Sequence, residues 1–208
     1  MSEERYVIPG ILSERALITT GIHIGTTRCT DYMRRFVARM RPEGNYLFDL
    51  NKVLERINVA GKFLSQFSPP LILAYSSREL CRTPIEKFSE VVGSQAVLGR
   101  FMPGTLTNIQ FTGHRDAEVL LISDPLMDQQ AVTEASQVGI PVVALANTDN
   151  TVENIDLVVP LNNRGRKACA AAFWLLARAT LINSNLLPPD RPLKYTIEDF
   201  ETKLEALA

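Results

Sequence analysis

Small polar side chains occur where several short apolar runs of the sequence end. Asp49, Ser76, Asp124 and Asn147 each lie at or just after the end of a run that is predicted to be a buried strand. Ligands of open parallel sheets lie beyond the carboxyl ends of the strands, so an enzyme acting on a phosphosugar or a nucleotide could use these residues. The same residue types are favoured helix N-caps, and Asp124 directly precedes a proline, as caps often do. The capping interpretation predicts that Asp124→Ala costs about 1 kcal/mol.

The motifs that would favour an enzyme are missing from the sequence. No G-x-G-x-x-G follows a predicted strand, no G-x-x-x-x-G-K-[ST] occurs, and the glycines of the segment 21–25 have the wrong spacing for a dinucleotide loop. His23 and Cys29 could form a metal-binding or nucleophilic pair, but no further ligand stands at a suitable spacing. We therefore expect no catalytic residue, no metal site, no cofactor and no small-molecule substrate.

Three segments combine arginine with hydroxyl, amide or glycine residues, which is the mixture that contacts phosphates and the ribose 2′-hydroxyl. They are residues 26–41, residues 100–108 and residues 164–167, the last of which begins a predicted helix. A solvated charged face or a plain β-turn is the alternative interpretation for each of them. The candidate RNA-binding residues are Thr26, Thr27, Arg28, Arg34, Arg35, Arg39, Arg41, Arg100, Thr105, Thr107, Asn108, Arg164, Arg166 and Lys167.

Acidic residues are concentrated elsewhere, although the net charge of the chain is only -1. The segment 116–160 contains no Lys or Arg, and its acids are Asp116, Glu118, Asp124, Asp128, Glu134, Asp149, Glu153 and Asp156. Because phosphates repel such a segment, it suits a protein partner better than RNA. We expect Asp128, Glu134 and Glu153 to lie on a face that contacts a neighbouring protein.

The elements that would position these residues alternate along the chain. Short aliphatic runs bounded by turn residues predict parallel strands at 46–50, 70–75, 119–123, 141–146 and 155–160. Helical spacing predicts helices at 51–67, 78–92, 125–138 and 166–181, with an earlier helix at 31–40 and a short one near 197–207. This alternation predicts an α/β fold, namely a doubly wound parallel sheet of about five strands with helices on both faces. Residues 98–110 are predicted to form a turn or hairpin outside the scheme.

The composition is that of an ordinary globular domain, with 208 residues, 46% hydrophobic and 22% charged. We expect one α/β domain over residues 1–187 and a C-terminal tail over 188–208. Apolar runs are too short for a membrane span, and no signal-peptide pattern begins the sequence, so a cytoplasmic location is expected. Cys29, Cys81 and Cys169 are odd in number and far apart, which predicts three free thiols.

Three blocks of sequence closely resemble protein two of the small ribosomal subunit. They are Leu17–Gly25, which contains His23-Ile24-Gly25, Leu98–Asn108, and Val119–Pro125 followed by Gly139–Leu145. The match extends in order over nearly the whole chain. The absence of a helical-hairpin insertion before the first predicted strand and of a long acidic C-terminal extension resembles the archaeal type of this family.

The resemblance implies a structural protein without catalytic activity that binds small-subunit rRNA and neighbouring ribosomal proteins. It also implies a doubly wound sheet and a position between the head and body of the subunit. Ribosomal proteins are usually strongly basic, whereas this chain is nearly neutral. A protein on the rim of the particle, with its acidic half turned away from RNA, would have this charge distribution.

Overall fold

The computed structural model describes residues 6–8 and 12–203, with side chains described from residue 12 onward. The strands are β1 (Tyr6–Ile8), β2 (Leu12–Ser13), β3 (Val37–Met40), β4 (Tyr46–Phe48), β5 (Ile72–Ser76), β6 (Gln95–Leu98), β7 (Val119–Ile122), β8 (Val142–Ala146) and β9 (Leu157–Pro160). The helices are α1 (Glu14–Thr19), α2 (Asp31–Arg34), α3 (Leu50–Leu64), α4 (Arg82–Val92), α5 (Gln129–Val138) and α6 (Arg166–Asn183).

Strands β5 to β9 form one parallel sheet in the order β6-β5-β7-β8-β9. The first parallel strand along the chain therefore lies second in the sheet, which is the 2-1-3-4-5 order of flavodoxin-like folds. Successive side chains of β5 and β7 alternate between two hydrophobic clusters. Ile72 and Leu121 belong to one cluster, and Leu73 and Leu120 belong to the other. The prediction of a five-stranded doubly wound α/β fold is confirmed.

The two faces of this sheet are covered differently. Helices α3, α4 and α6 pack on one face, and every residue of α6 from Ala168 to Thr180 is buried. On the other face lie α5 and the loop between β6 and β7, which contributes Phe101 and Leu106 to the core. The uneven cover explains why α6 buries side chains around its whole circumference, because it is enclosed by helices on both sides as well as by the sheet.

The region before α3 differs from the prediction. Residues 31–40 do not form one helix, because α2 ends at Arg34 and the chain continues as β3. Strand β3 pairs antiparallel with β4, so the segment 46–50 is not the first parallel strand. A tight turn joins the two strands, with Gly44 at φ 90° and its amide donating to the Arg41 carbonyl over 2.9 Å. The vacant place in the parallel sheet is taken by β6, an edge strand that the sequence analysis assigned to no element.

The predicted tail is not a separate appendage where it is described. Leu193 and Phe200 are buried in the main core. The Trp174 indole donates to the Tyr195 carbonyl over 2.8 Å, and the Thr202 hydroxyl donates to the Leu80 carbonyl over 2.9 Å. A single 3₁₀ turn at Glu198–Phe200 stands where a short helix was predicted. The end of that predicted helix, residues 204–208, lies outside the described residues.

Candidate RNA-binding surface and the strand-end crevice

The strand-end crevice of a doubly wound fold lies beyond the carboxyl ends of two adjacent strands from which the chain leaves in opposite directions, and here these strands are β5 and β7. In this protein, the crevice is filled by its own side chains. The hydroxyls of Ser76 and Ser123, one at the end of β5 and one just after β7, are 2.6 Å apart. Ser123 also donates to the Asp128 carboxylate over 3.2 Å. All three residues are buried. A ligand bound in the manner of other doubly wound proteins would have to displace these hydrogen bonds.

Asp124 is the most heavily used side chain of the crevice. It is fully buried, and its Oδ2 accepts from the Arg78 Nε over 2.9 Å and from a second guanidinium nitrogen over 2.5 Å. Its Oδ1 accepts from the Leu126 amide over 3.0 Å and from the Asn150 side-chain amide over 2.8 Å. The prediction of an N-cap for a helix starting at Pro125 is therefore wrong, because α5 begins only at Gln129. Asp124 instead connects three loops. The ion pair ties its own loop to the loop of Arg78, and the hydrogen bond from Asn150 ties it to the loop after β8.

Asp128 also points inward. Its carboxylate accepts from the Ser77 amide over 2.9 Å, from the Ser77 hydroxyl over 2.6 Å and from the Asp124 amide over 3.1 Å. Burial raises the pKa of this carboxyl, and its hydrogen-bond donors oppose the shift. Because the residue is only 1% exposed, the prediction that it contributes to a partner-facing surface is corrected.

Amide side chains complete the filling of the crevice on the side of β8 and β9. The Asn150 Oδ1 accepts from the Asn147 amide over 2.6 Å. The Asn163 side-chain amide donates to the carbonyls of Ser123 and Leu145 over 3.1 and 3.2 Å. Asn147 and Asp49 therefore act as local structural residues. Asp49 caps α3 as predicted, with its carboxylate accepting from the Asn51 amide over 3.0 Å.

An open groove of about 480 Å³ remains beside the crevice, between the ends of β5 and β6 and α5. Tyr75, Ser77, Arg100 and Met127 are among the residues that line it. Its lining contains no His, Cys or carboxylate that could serve as a base, a nucleophile or a metal ligand. Within the described residues, no group of three or more His, Cys, Asp or Glu side chains is placed to hold a metal ion.

The first basic segment, residues 26–41, is attached directly to this end of the sheet. The Thr26 amide donates to the Thr148 hydroxyl over 2.9 Å, and the Thr30 amide donates to the Thr148 carbonyl over 2.9 Å. Gly25 packs so closely that a Cβ atom there would lie 2.5 Å from the Thr148 Cγ2. Glycine is therefore required for the approach, and the segment cannot shift independently of the loop after β8.

Most guanidinium groups of this segment remain available at the surface. Arg28, Arg34, Arg35 and Arg39 are exposed, and Thr27 beside them is exposed as well. Arg34 makes only a long ion pair of 3.8 Å with the exposed Asp31, and Arg35 stacks on the Tyr32 ring at 4.0 Å from its centroid. Thr26 is the exception among the candidates, because its hydroxyl is engaged with Thr148 at 2.9 Å.

His23 lies beneath this segment and is 9% exposed. Burial lowers the pKa of its imidazole, and the charges of Arg41 and Arg39 lower it further. The neutral ring is therefore the favoured form. Within the described part of the chain, no third His, Cys, Asp or Glu side chain is placed to complete a metal site with His23 and Cys29.

The third basic segment, residues 164–167, reaches the same loop after β8. Arg164 forms a 2.5 Å ion pair with Asp149, and Arg166 lies 3.7 Å from the Glu201 carboxylate. Lys167 is exposed. The structure thus brings the first and third segments together at the ends of β8 and β9, with part of the positive charge of the third already paired within the molecule.

The second segment, residues 100–108, lies apart from them and is held by Glu134. The Glu134 carboxylate accepts from the Gly104 amide over 2.9 Å, from the Leu106 amide over 3.1 Å and from the Gln130 side chain over 2.9 Å. Burial opposes these hydrogen bonds, but together they lower the pKa of Glu134. Since Glu134 is 3% exposed, its predicted role on a partner-facing surface is also corrected.

Other residues of this second segment divide between surface and core. Arg100, Thr107 and Asn108 are exposed, as predicted for RNA contact. Thr105 is 4% exposed and its hydroxyl donates to the Met102 carbonyl over 2.6 Å, so its predicted role in contacting RNA is corrected.

Of the three acids predicted to contact a protein partner, Asp128, Glu134 and Glu153, only Glu153 is exposed. Sequence reasoning missed the positioning role of Glu134, because its partners lie about 30 residues away along the chain.

The fold and this surface together define a flavodoxin-like α/β protein that carries an exposed arginine segment at the carboxyl end of its sheet. The family model described as Ribosomal protein S2 matches residues 111–182. The chain is 44% identical over 203 residues to "Small ribosomal subunit protein uS2" of Saccharolobus solfataricus, covering 98% of this chain and 88% of that protein. It is 46% identical over 191 residues to the protein of the same name from Nitrosopumilus maritimus, covering 92% of each.

A third relative of this name, from Staphylothermus marinus, is 43% identical over 204 residues, covering 98% of this chain and 93% of that protein. The chain belongs to the small ribosomal subunit protein uS2 family. The resemblance found in the sequence, including its archaeal type, is therefore confirmed. Within the described residues, no helix is both long and apolar enough to cross a membrane.

Proposed function

We propose that this protein is a structural component of the small ribosomal subunit that binds small-subunit rRNA through the segment 26–41, on ribosomes in the cytoplasm. The observation that carries the proposal is the exposed arginine group of this segment on an anchored backbone. Arg28, Arg34, Arg35 and Arg39 lie within twelve residues of one another in sequence and are exposed. Only one acidic residue, Asp31, occurs in the segment, so the positive charge is available to phosphates.

Attachment to the sheet gives this segment a defined geometry. Gly25 and Thr148 fix its start, and the hairpin of β3 and β4 fixes its end. Arginine side chains on a fixed backbone lose less freedom on binding than arginines on a disordered arm, and guanidinium groups can contact phosphates bidentately. The Arg35 guanidinium also lies on the Tyr32 ring, and although its Nε donates to the Tyr32 carbonyl over 3.0 Å, its Nη groups can still donate to a phosphate.

The segments 100–108 and 164–167 supply additional RNA contacts in this proposal. Arg100, Thr107, Asn108 and Lys167 present guanidinium, hydroxyl, amide and ammonium groups at the surface. Arg164 and Arg166 make intramolecular ion pairs, and the exposed side of each remains within reach of a phosphate. The second segment depends on Glu134 for its shape, so this acid assists RNA binding although it would repel RNA at the surface.

Contact with neighbouring ribosomal proteins involves a smaller acidic surface than the sequence suggested. Glu153, Glu118 and Asp116 are exposed, whereas Asp124, Asp128 and Glu134 are buried. In this proposal, a basic protein partner would contact these exposed acids. A strand-end enzyme is disfavoured, because the crevice in which a phosphosugar or a nucleotide would bind is occupied by the Ser76–Ser123 contact and by the Arg78–Asp124 ion pair.

Salt dependence of binding to small-subunit rRNA fragments tests this proposal. If about four to six phosphates are contacted, the slope of log K against log salt is about -3 to -5. The triple variant R34Q/R35Q/R39Q is expected to reduce the magnitude of this slope by about 2 to 3, since each phosphate contact contributes about 0.7 to 0.9. A slope near zero for the natural chain would contradict the proposal.

The matched control removes positive charge from helices α3 and α4, which lie away from the basic segments. Arg82 is exposed and pairs only with Glu86 at 3.4 Å, and Lys62 is exposed near the end of α3. The variant R82Q/K62Q is expected to keep the slope of the natural chain to within about one unit. Equal losses in both variants would show that net charge, rather than the segment 26–41, governs binding.

A further inference from the structure

A cavity of about 370 Å³ lies on the helical face of the molecule, away from all three basic segments. It is formed by α3, α6 and the chain after α6. Its lining combines apolar residues, namely Leu54, Ile57, Leu175, Ala179, Ile182 and Pro189, with the polar residues Asn58, Arg178, Asn183 and Asp190. Its volume falls in the range of about 300 to 1,000 Å³ that is typical of ligand pockets.

The cavity also contains a buried cation, the Arg178 guanidinium. Arg178 is only 8% exposed, and its Nη2 donates to the neutral carbonyl of Pro189. Its Nε is buried without a hydrogen-bond partner among the described residues. No carboxylate of the described chain lies within ion-pair distance of it, and burial lowers the pKa of the guanidinium, an effect that nearby Asp190 partly opposes.

Arg78 shows how the same fold treats a guanidinium that belongs to its own interior. Arg78 is partly buried, and its guanidinium donates two hydrogen bonds to the carboxylate of the fully buried Asp124. Other polar side chains near the cavity are also satisfied within the molecule. Thr180 donates to the Leu176 carbonyl over 2.8 Å, and Asn183 donates to the Ala179 carbonyl over 2.7 Å. A buried cation without a carboxylate, next to an open cavity, therefore distinguishes Arg178 from its surroundings.

The chemistry of the cavity identifies its ligand. A carboxylate would supply the missing negative charge and could accept two hydrogen bonds from one guanidinium. The apolar walls require an aliphatic or aromatic group to fill them. An RNA phosphate would also supply the negative charge, but an RNA backbone offers no aliphatic or aromatic group to fill the apolar part of the walls, so a protein segment fits the cavity better.

We propose that this cavity, which we call the Arg178 socket, receives a segment of a neighbouring small-subunit protein that places an aliphatic side chain beside an Asp or Glu carboxylate. The carboxylate pairs with Arg178, and the aliphatic group packs against Leu54, Ile182 and Pro189. The proposal rests on the proposed function, since the partner is another component of the same subunit. It adds a protein contact on the helical face, where one arginine pairs with a carboxylate, whereas the arginines of the segment 26–41 contact phosphates.

Photo-crosslinking in assembled subunits tests the socket. The exposed Asn58, which lines the cavity, is replaced by the photoreactive residue benzoylphenylalanine in the full chain, and small subunits that contain it are purified and irradiated. We expect an adduct that protease removes and ribonuclease does not. Mass spectrometry of the adduct is expected to find an Asp or Glu next to an aliphatic residue in the attached peptide.

Three further variants separate the outcomes. R178M keeps the aliphatic stem and removes the charge, so it is expected to reduce the adduct at least tenfold. I182W fills the cavity while retaining Arg178, and the same loss is expected, which keeps the test valid if R178M fails to fold. D190N is expected to preserve the adduct, because Asp190 is exposed at the rim and forms no ion pair with Arg178 within the described chain.

The remaining results would each overturn either the socket or the proposed function. An adduct to rRNA, an adduct to protein that both R178M and I182W leave unchanged, or no adduct in subunits that contain the chain would overturn the socket. Loss of the adduct in D190N would show that Asp190 is the functional counter-ion and would also overturn it. If the chain does not sediment with small subunits at all, the proposed function fails first, and this result is visible before irradiation.

Discussion

Two charged regions of this molecule use their charges in opposite ways. In the basic segment 26–41, Arg28, Arg34, Arg35 and Arg39 are exposed and make few contacts within the chain. In the acidic segment 116–160, Asp124, Asp128 and Glu134 are buried and accept hydrogen bonds from backbone amides and from Arg78. Charge counted along the sequence therefore anticipated the exposure of these arginines but not the burial of these acids.

The difference follows from the chemistry of the two ions. A carboxylate only accepts, and folded loops leave many backbone amides that need an acceptor, so a short acid can be used inside the protein. A guanidinium has five N–H donors on a long stem and is costly to bury without an anion. Arginines therefore remain at the surface unless the fold supplies a carboxylate, and Arg178, buried without one among the described residues, is an exception. The predictions below test this contrast, beginning with the largest expected effect.

Replacing Asp124 by alanine should cause the largest loss. The change leaves the Arg78 guanidinium without its anion and the Asn150 side chain without its acceptor, which costs about 3–5 kcal/mol. For a domain of this length, the melting temperature should fall by roughly 6–20 °C. Asp49→Ala is the matched control, because Asp49 accepts one hydrogen bond at the start of α3, and about 1 kcal/mol is expected. Similar losses from both variants would contradict the difference between a buried ion pair and a cap.

Replacing Glu134 by glutamine should weaken both the fold and RNA binding. Glutamine is neutral and has one acceptor oxygen in place of two, so either the Gly104 or the Leu106 amide loses its acceptor and the other keeps only a neutral one, at a cost of roughly 1.5–3 kcal/mol. The loop that carries Arg100 then loosens, and the salt slope of rRNA binding should decrease in magnitude by about 1. Glu153→Gln, at an exposed site of the same segment, should leave the melting temperature and the slope unchanged. A stable Glu134→Gln variant with a normal slope would show that the loop does not depend on this acid.

Replacing Gly25 by alanine tests the attachment of the basic segment to the sheet. The new Cβ would lie 2.5 Å from the Thr148 Cγ2 and 3.0 Å from the Tyr46 carbonyl oxygen, and such overpacking costs about 1–3 kcal/mol. Adding Thr148→Ser removes the methyl group and keeps the hydroxyl that accepts from Thr26, so the double variant should recover part of the loss in thermal melts. Absence of any recovery would place the strain at the Tyr46 carbonyl or the Thr148 hydroxyl, each 3.0 Å from the new Cβ.

Acid titration of stability should show the smallest effect. Burial, together with Arg41 and Arg39, lowers the pKa of His23 in the folded state, whereas the unfolded chain protonates near its ordinary value of about 6.5. Between these two values the unfolded state binds more protons, so stability falls as the pH drops below about 6.5 and is constant above it. His23→Asn should therefore lose less melting temperature than the natural chain between pH 7.5 and pH 5.5. Equal losses would mean that burial and the two arginines do not lower the pKa of this imidazole in the folded state.

Much of the fold was predictable because its signal is local. Four of the parallel strands, β5, β7, β8 and β9, are continuous apolar runs, and α3, α4 and α6 have helical spacing. The edge strand β6 is only half-buried, and its four residues carry no clear pattern. Tyr46–Phe48 does form a strand, but its antiparallel partner β3 follows a one-turn helix, and nothing local distinguishes that pairing from a parallel one.

The site was predictable only in part, for a different reason. Exposure of Arg34 and Arg39 follows from residue type, because arginine seldom enters a core without a partner. The roles of Asp124 and Glu134 depend on donors brought from Arg78 and from Gly104, which lie 46 and 30 residues away along the chain. Thr105 likewise faces inward because Glu134 shapes its loop. Such long-range hydrogen bonds leave no periodic pattern in a sequence.

The packing of residues 193–203 over α6 bears on how the chain is made. Helix α6 is buried from Ala168 to Thr180, and part of that cover comes from Tyr195, Phe200 and Thr202, which are synthesised after the helix. At about 5–20 residues per second, roughly 2–8 seconds pass between the start of α6 and residue 203. During this interval α6 can pack against α3, α4 and the sheet, which are already made, but it lacks the cover of residues 193–203. The docking of this segment is therefore a late step in the folding of the chain as it is synthesised.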